Sequence, residues 1–271
     1  MSKISVCIPS RGPNPKLHDL LKDLEEQTLK PDEVIVLVDN DGELPKFDLN
    51  IKKELSTLNV AGKRNELIKM ASWDLVLLVD DDNRLPQKDR LEKLVDYYQK
   101  IQAQTDKPII IAPYSRHRKK GQIQAAWLKF SYLLSKMSDI KTPPQDFRRS
   151  WALGGVAIFG SKEALSSSEY DMDMGFLRED VDFDRTFVDR WWELYTVNLP
   201  ILHMERLKNI AQKGGYSDLQ SLKRKIKNRN LFVQKHANNL EKLQFYLVGY
   251  WLMPLGALIK LLISKFWQKT S

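Results

Sequence analysis

Residues 76–86 read VLLVDDDNRLP, an apolar run that ends abruptly in three consecutive carboxylates. The run has the length and composition of a buried strand. Two bare carboxylates about 4 Å apart repel each other by roughly 4 kcal/mol at an effective dielectric constant of 20. The triplet must therefore be partly protonated, splayed towards water or neutralised by a cation. Because Asp and Asn also favour turns and helix caps, a solvated turn explains the triplet alone equally well.

On either side of this stretch, buried strands alternate with amphipathic helices. The predicted strands are residues 4–9, 33–39, 74–79, 107–112 and 154–159. The predicted helices are residues 17–24, 61–71, 91–98 and 178–192. This alternation predicts an α/β fold with a Rossmann-like, mostly parallel central sheet flanked by helices. The near-continuous apolar strands agree, because both faces of such a sheet are covered.

Residues 123–137 carry a stripe of apolar side chains at helical spacing, after a basic loop at 116–120. The stripe predicts a helix. Either that helix faces the core, or it faces a membrane or an acceptor.

Composition bounds the function only loosely. The 271 residues suffice for one large domain or a domain with an appendage, and the net charge of +8 suits nucleic acid, anionic lipid or phosphorylated ligands alike. The single cysteine, Cys7, excludes a disulfide within the chain, as expected for a reducing cytoplasm. Neither GxGxxG nor GxxxxGK[ST] occurs at the first strand, which argues against a dinucleotide oxidoreductase and a P-loop enzyme.

Polar residues follow three of the predicted strands at the point where each strand ends. They are Pro9-Ser10-Arg11, Asp39 and Asp80-Asp81-Asp82. In open α/β sheets, ligands bind beyond the carboxyl ends of the strands, so the fold could bring these groups together. A hard divalent cation, Mg²⁺ or Mn²⁺, would supply the missing positive charge and could bridge to a diphosphate.

Taken in order along residues 4–203, the motifs resemble those of the family-2 glycosyltransferases, inverting enzymes of the GT-A fold. The matching segments are ISVCIPSRG, EVIVLVDNDG, AGKRNELIKMASWDLVLLVDDDN, WALGGVAIFGSKEAL, FLREDVDFDRTF and ILHMER. The resemblance implies a nucleotide-diphosphate sugar as donor. It also implies a GT-A domain at 1–210, with a nucleotide-sugar half at about 1–112 and an acceptor half at about 113–210.

The resemblance assigns the donor site residue by residue. Pro9 and Arg11 would line the nucleotide pocket, and Asp39 would accept a hydrogen bond from the base. Arg64 and Asn65 would lie near the nucleotide or its diphosphate, since the guanidinium fork suits phosphate oxygens.

The triplet occupies the DxD position of the family. Asp80 would face the ribose or sugar, and Asp82 would ligate Mn²⁺ or Mg²⁺, with Asp80 and His203 as further metal candidates. Asp81 belongs to the same nucleotide-sugar site, although the role of a third carboxylate there is open. A lone histidine after an apolar strand is more often structural, so the ligand role of His203 has that alternative.

Glu179-Asp180 matches the ED motif of the family, with Asp180 as the general base for the acceptor hydroxyl. Glu179 and Asp182 would support the base or bind the acceptor. The alternative, an acidic helix start favoured by the helix dipole, loses weight beside the upstream motifs.

The segment WALGG adds three candidates on the acceptor side. Gly154 and Gly155 would let the backbone approach the donor sugar or acceptor closely. Trp151 would stack on a sugar, or else pack in the core.

The QxxRW motif of processive synthases is missing, because Phe187 stands where Gln is required. The resemblance therefore implies one sugar transfer per encounter.

Residues 211–271 form a basic and then apolar region, predicted to be a helical, membrane-associated C-terminal extension. The uncharged run 243–259 is borderline for a membrane span, which needs about 20 apolar residues. An interfacial helix, a single span and a buried helix compete for this run, and the aromatic residues within and after it favour the interface. We expect peripheral or monotopic attachment to anionic lipid at the cytoplasmic face of the cell membrane, near a lipid-linked glycan acceptor.

Two other functions remain to be weighed. A basic membrane- or nucleic-acid-binding protein on a degenerate glycosyltransferase scaffold would explain the charge but leave the acidic motifs without a role. A GT-A-like nucleotidyltransferase would need a Gly-rich phosphate loop, which PSRGPNP lacks. A nucleic-acid partner is therefore not expected.

Overall fold

The computed structural model describes residues 3–117, 123–125, 127–131, 136–140, 142–153, 157–174, 179–203 and 219–250. These residues fall into two compact units, described separately below. The first unit is Met1–Leu128 with Asp139–Glu205, and the second is Lys129–Ser138 with Arg206–Ser271.

Strands alternate with helices over residues 4–102. The strands are β1 (Ile4–Pro9), β2 (Glu33–Val38), β3 (Ile51–Leu55), β4 (Leu75–Val79), β5 (Asn83–Arg84), β6 (Ile109–His117), β7 (Ile123–Ala125), β8 (Trp127–Ser131), β9 (Lys136–Ile140), β10 (Phe147–Arg149), β11 (Ala157–Ser161) and β12 (Glu193–His203). The helices are α1 (Pro15–Glu25), α2 (Val60–Met70), α3 (Arg90–Gln102), α4 (Lys162–Ser166), α5 (Glu179–Asp189), α6 (Leu219–His236) and α7 (Asn239–Gln244). A 3₁₀ turn lies at Met172–Met174 and a π-helical turn at Phe245–Gly249.

The central sheet has the order β10-β12-β6-β11-β4-β1-β2-β3, with β5 beside β12 and β7 beside β6. From β4 to β3 every pairing is parallel. Strand β11 is antiparallel to both β4 and β6, and β12 returns parallel to β6. The sheet thus confirms the predicted α/β fold with a central sheet between helices, and it sets the carboxyl ends of β1, β2 and β4 side by side.

Both faces of the sheet are covered. Leucines of α1 and α3 pack on one face with Ile4, Val6 and Ile8 of β1. Apolar residues of α2, α4 and α5 pack on the other face, where Cys7 is buried. Successive residues of a strand point to opposite faces, so a strand covered on both sides must be apolar throughout.

The helix predicted for residues 123–137 is wrong where the structure describes this segment. Strands β7, β8 and β9 lie there, and β8 pairs with β9. Ile, Trp, Phe and Tyr also suit strands, so the spacing of apolar residues alone could not decide between the two.

The second unit contains helices α6 and α7. Phe245 packs against Val233 and Ala237, with Tyr250 beside them. Up to Tyr250, the described helices include none that is both long and apolar enough to cross a bilayer. Residues 251–271 of the predicted apolar tail lie outside the described residues.

Candidate active site

The ends of β1 and β2 are joined by a lysine from the second helix. The ammonium group of Lys63, which is 4% exposed, donates a hydrogen bond to the carbonyl oxygen of Ser10 at 2.6 Å and also contacts the Asp39 carboxylate. Asp39 remains about half exposed, so it can still meet a ligand. Pro9 is buried at the end of β1, and Arg11 is exposed in the loop that follows. The structure therefore brings Pro9 and Asp39 to one edge, as predicted.

Asp81 holds the loop between β1 and α1. Its Oδ2 atom accepts hydrogen bonds from Ser10 Oγ at 2.6 Å and from Asn14 Nδ2 at 2.9 Å. The side-chain oxygen of Asn14 in turn caps α1 by accepting the backbone N–H groups of Lys16 and Leu17. The middle carboxylate of the triplet thus fixes the shape of the first loop.

That loop also depends on a glycine. Gly12 has a φ of +153°, in the region that side chains avoid, and an added Cβ would lie 2.5 Å from the Asn40 side chain. Asn40 donates from Nδ2 to the carbonyl oxygen of Arg11 at 3.1 Å. The loop after β1 is therefore fitted closely to the residues that follow β2.

A buried arginine connects the donor side of the site to the ED motif. Arg64 is 4% exposed; its Nη2 lies 2.8 Å from Asp80 Oδ1 and its Nη1 lies 3.2 Å from Glu179 Oε1. Burial opposes the charge of Arg64, but Asp80, Tyr170 and Glu179 hold its pKa above the ordinary value. Burial raises the pKa of Asp80, and Arg64 partly offsets that effect. The one cation thus joins Asp80 to Glu179, which lies 115 positions beyond Arg64 in the chain.

Asn65 supports this network from the next position of α2. Its side chain exchanges two hydrogen bonds with the backbone of Tyr170, at 2.8 and 2.9 Å. The Tyr170 ring stacks on Phe183 of α5, with ring centroids 4.2 Å apart. Asn65 therefore fixes the Tyr170 segment in the described structure.

Asp82 is the third carboxylate of the triplet. Lys16 Nζ lies 3.6 Å from its Oδ2, and both side chains are partly exposed. The backbone of β12 pairs His203 with Asn83, the residue after Asp82, although the His203 side chain lies outside the description. Among the described residues, no three or more His, Cys, Asp or Glu side chains are grouped to hold a metal ion. A magnesium site needs only one or two protein carboxylates beside substrate phosphates, so the partly exposed carboxylate of Asp82 suits the protein part of such a site.

The first turn of α5 carries the acidic motif. Glu179 and Asp182 are buried, whereas Asp180 is partly exposed and its Oδ1 accepts the backbone N–H of Val181 at 2.8 Å. Asp184, which the sequence did not single out, is 2% exposed and accepts the backbone N–H of Leu153 at 2.6 Å. Burial raises the pKa of Asp184 well above its ordinary value, and the nearby charge of Asp180 adds to the effect.

The predicted acceptor segment is described as far as Leu153. The Trp151 ring lies against the guanidinium of Arg185, whose Cζ is 4.7 Å from the ring centroid. Gly154 and Gly155 lie outside the described residues.

The sequence of residues 5–156 matches the family described as "Glycosyl transferase family 2". The chain belongs to this family. No curated protein is significantly similar to this glycosyltransferase in sequence.

Its fold is similar to that of S. aureus TarS. TarS residues 1–349 superpose with a TM-score of 0.56 at 15% identity, over 87% of this chain and 81% of TarS 1–349. The complex of the same fragment with UDP gives 0.56 at 14% identity, over 90% and 70%. A longer TarS structure gives 0.59 at 14% identity, over 94% of this glycosyltransferase and 54% of that chain.

Four side chains that shape the site were not predicted from the sequence. They are Asn14, Lys16, Lys63 and Asp184. Each acts through a partner distant in the chain, such as Asn14 with Asp81. The one local signal was Asn14 before Pro15, a typical helix start.

Proposed function

We propose that this glycosyltransferase is inverting and non-processive and moves a sugar from a nucleoside diphosphate to an acceptor hydroxyl. The observation that carries the proposal is the Arg64 bridge. The guanidinium of Arg64 forms ion pairs with Asp80, which follows β4, and with Glu179, which precedes Asp180. A donor held beyond the strand ends would thereby lie beside the carboxylate that activates the acceptor.

Asp180 would act as the general base. Its carboxylate would take the hydroxyl proton of the acceptor while that oxygen bonds to the anomeric carbon. The bond from that carbon to the diphosphate oxygen breaks on the opposite face, and the nucleoside diphosphate leaves with the bonding electrons. Attack from the opposite face inverts the anomeric centre. Base catalysis of this kind contributes about 10²–10⁴-fold.

The donor would occupy the edge formed by the ends of β1, β2 and β4. An ionised carboxylate only accepts hydrogen bonds, so Asp39 would accept one from an N–H group of the nucleobase. Pro9, Arg11 and Asp81 would shape the pocket, directly or through the first loop. The complex of TarS, a protein of similar fold, with UDP supports a nucleoside diphosphate as the ligand.

A divalent cation, Mn²⁺ or Mg²⁺, would be held by Asp82 and His203, and it would offset the negative charge of the diphosphate. Asp80 could coordinate the cation only while it also keeps its ion pair with Arg64. Lys16 already places positive charge beside Asp82 and would move aside or turn to a phosphate.

The direct test is a transfer assay with a panel of nucleoside diphosphate sugars, glycan acceptors and Mn²⁺. We expect one donor class to yield product whose anomeric configuration, read by NMR, is opposite to that of the donor. Asp180→Asn should lower transfer by about 10²–10⁴-fold. Asp106→Asn, an exposed control, should not. A product that retains the donor configuration would overturn the inverting mechanism.

We further propose that the second unit attaches to anionic membrane lipid, where a lipid-linked glycan would serve as acceptor. Residues 219–250 contain seven Lys and Arg but one acidic residue, Glu241. Beyond α6, Leu240, Leu243 and Leu247 are 55–67% exposed and recur at helical spacing. Exposed leucines beside basic residues are typical of helices that lie in a membrane interface.

Vesicle flotation tests this attachment. The full chain should float with vesicles that contain phosphatidylglycerol and less with phosphatidylcholine alone. The double change Leu243→Lys and Leu247→Lys should weaken flotation, whereas Leu55→Lys, an exposed leucine of the first unit, should not. If the double variant floated as well as Leu55→Lys, the proposed attachment through the exposed leucines of the second unit would be wrong.

A further inference from the structure

Helix α5 carries a second carboxyl group on the face that presents Asp180. Asp184 follows Asp180 by four residues, so the two side chains lie on one face of the helix, one turn apart. Asp184 is buried, and the proposed transfer chemistry does not use it.

Asp184 and its neighbour Arg185 hold two residues of the Trp151–Leu153 segment. Asp184 Oδ2 accepts the backbone N–H of Leu153 at 2.6 Å, and Arg185 lies over the Trp151 ring. Arg185 is itself oriented by Asp189, whose Oδ1 is 2.8 Å from Nη2. The segment is therefore attached to α5 at both a backbone and a side-chain contact.

The residue before this segment, Ser150, is attached to the sheet. The backbone N–H of Ser150 donates to the carbonyl oxygen of Leu194 at 2.7 Å, and the hydroxyl groups of Ser150 and Thr196 are 2.7 Å apart. The Trp151–Leu153 segment is therefore held from two sides, by Ser150, which is bonded to β12, and by Asp184 of α5.

We propose that Asp184 is a positioning residue that holds the Trp151–Leu153 segment at the distance from Asp180 which an acceptor sugar requires. The inference rests on the proposed glycosyl transfer, because it assumes that an acceptor lies between this segment and Asp180. Misplacement by about 1 Å can cost 10²-fold in rate, so a hydrogen bond that fixes this distance would affect transfer far more than donor binding.

The test compares Asp184→Ala, which loses the acceptor oxygen, with Asp184→Asn, which retains one. Glu163→Ala, an exposed change on α4, is the control. Hydrogen exchange on the full chain reports the Leu153 amide, and equilibrium binding of UDP with Mn²⁺ reports the donor site.

In Asp184→Ala, the peptide that contains Leu153 should exchange at least about tenfold faster than in the wild type, since a lost hydrogen bond of about 1.4 kcal/mol corresponds to that factor. UDP affinity should stay within about twofold, and transfer to the acceptor should fall by about 10–100-fold. Asp184→Asn should restore both exchange protection and transfer.

Unchanged exchange in Asp184→Ala would overturn the proposal whatever the activity. Faster exchange with wild-type transfer would also overturn it, because the contact would then be merely structural. If the wild type transfers no sugar from any donor while exchange responds as expected, the proposed function fails and the attachment of the segment stands.

Discussion

The carboxylates of the donor edge and those of α5 are stabilised in different ways. At the donor edge, Asp39 contacts Lys63, Asp80 contacts Arg64 and Asp82 lies near Lys16. On α5, Asp180 accepts the backbone N–H of Val181, and Asp184 accepts that of Leu153. Ammonium and guanidinium groups cancel a full charge, whereas a backbone N–H supplies only a partial one.

The difference matches the two tasks proposed for these regions. A site for an anionic diphosphate must present positive charge, and the cations of α1 and α2 lie among the carboxylates of the donor edge. A general base must keep an oxygen that can accept a proton, and an amide donor orients a carboxylate with only a partial positive charge. Arg64 is the exception, because it serves both regions.

The largest effect is expected from Arg64→Ala, which leaves Asp80 and Glu179 without their shared cation. Removing one partner of a buried ion pair costs about 3–5 kcal/mol. Urea denaturation should show this loss. Arg64→Lys should lose an intermediate amount of stability, because it keeps the positive charge but cannot form both guanidinium hydrogen bonds. Lys93→Ala removes an exposed pair with Asp89 and should cost about 0.3–0.5 kcal/mol. Equal losses in Arg64→Ala and Lys93→Ala would show that the bridge does not join the two regions.

A smaller effect is expected from Asn14, which caps α1 and ties Asp81 to the first loop. Asn14→Ala should cost about 0.5–2 kcal/mol, the usual range for a lost cap. Asn14→Asp separates the two roles, because it keeps the cap but sets a second carboxylate beside Asp81. We expect Asn14→Asp to be destabilised and to bind nucleoside diphosphate more weakly. Wild-type behaviour in both measurements would mean that Asp81 does not hold the loop.

The next prediction concerns the pH dependence that Asp184 gives to stability. Burial raises the pKa of Asp184 well above its ordinary value, so the native state binds this proton more tightly than the unfolded chain. Stability from this group is therefore present below the ordinary value of about 3.9 and lost as pH rises towards the raised one.

The side chain of Asn in Asp184→Asn is neutral at every pH, so this variant does not lose stability as pH rises past the pKa of Asp184. Its free energy of unfolding relative to the wild type should therefore increase as pH is raised from about 4 to 7. Denaturation at a series of pH values measures the difference. A difference that does not vary with pH would contradict the assignment of this titration to Asp184.

The smallest change in stability is expected from Lys16→Ala. Partly exposed ion pairs contribute about 0–1 kcal/mol, so unfolding should change little. Mn²⁺ binding should tighten, because the competing cation beside Asp82 is gone. Direct titration with Mn²⁺ measures this, with Asp82→Asn as the variant that should lose binding. Weaker Mn²⁺ binding by Lys16→Ala would contradict a metal at Asp82.

The sequence predicted the strands that form the centre of the fold because those strands are buried on both faces and apolar throughout. It also predicted that polar residues meet where β1, β2 and β4 end. It could not reveal which partner each carboxylate takes: Ser10 and Asp81 are 71 positions apart, and Arg64 and Glu179 are 115 apart. It failed at residues 123–137, where bulky apolar residues suit a strand as well as a helix.

The most direct test of glycosyl transfer by Asp180 measures donor binding and transfer in one preparation of Asp180→Asn and of Asp82→Asn. Asp180→Asn should bind a nucleoside diphosphate with Mn²⁺ as the wild type does and lose transfer by about 10²–10⁴-fold. Asp82→Asn should weaken binding by about tenfold or more, about 1.4 kcal/mol. Transfer at the wild-type rate by Asp180→Asn would contradict the assignment of the base.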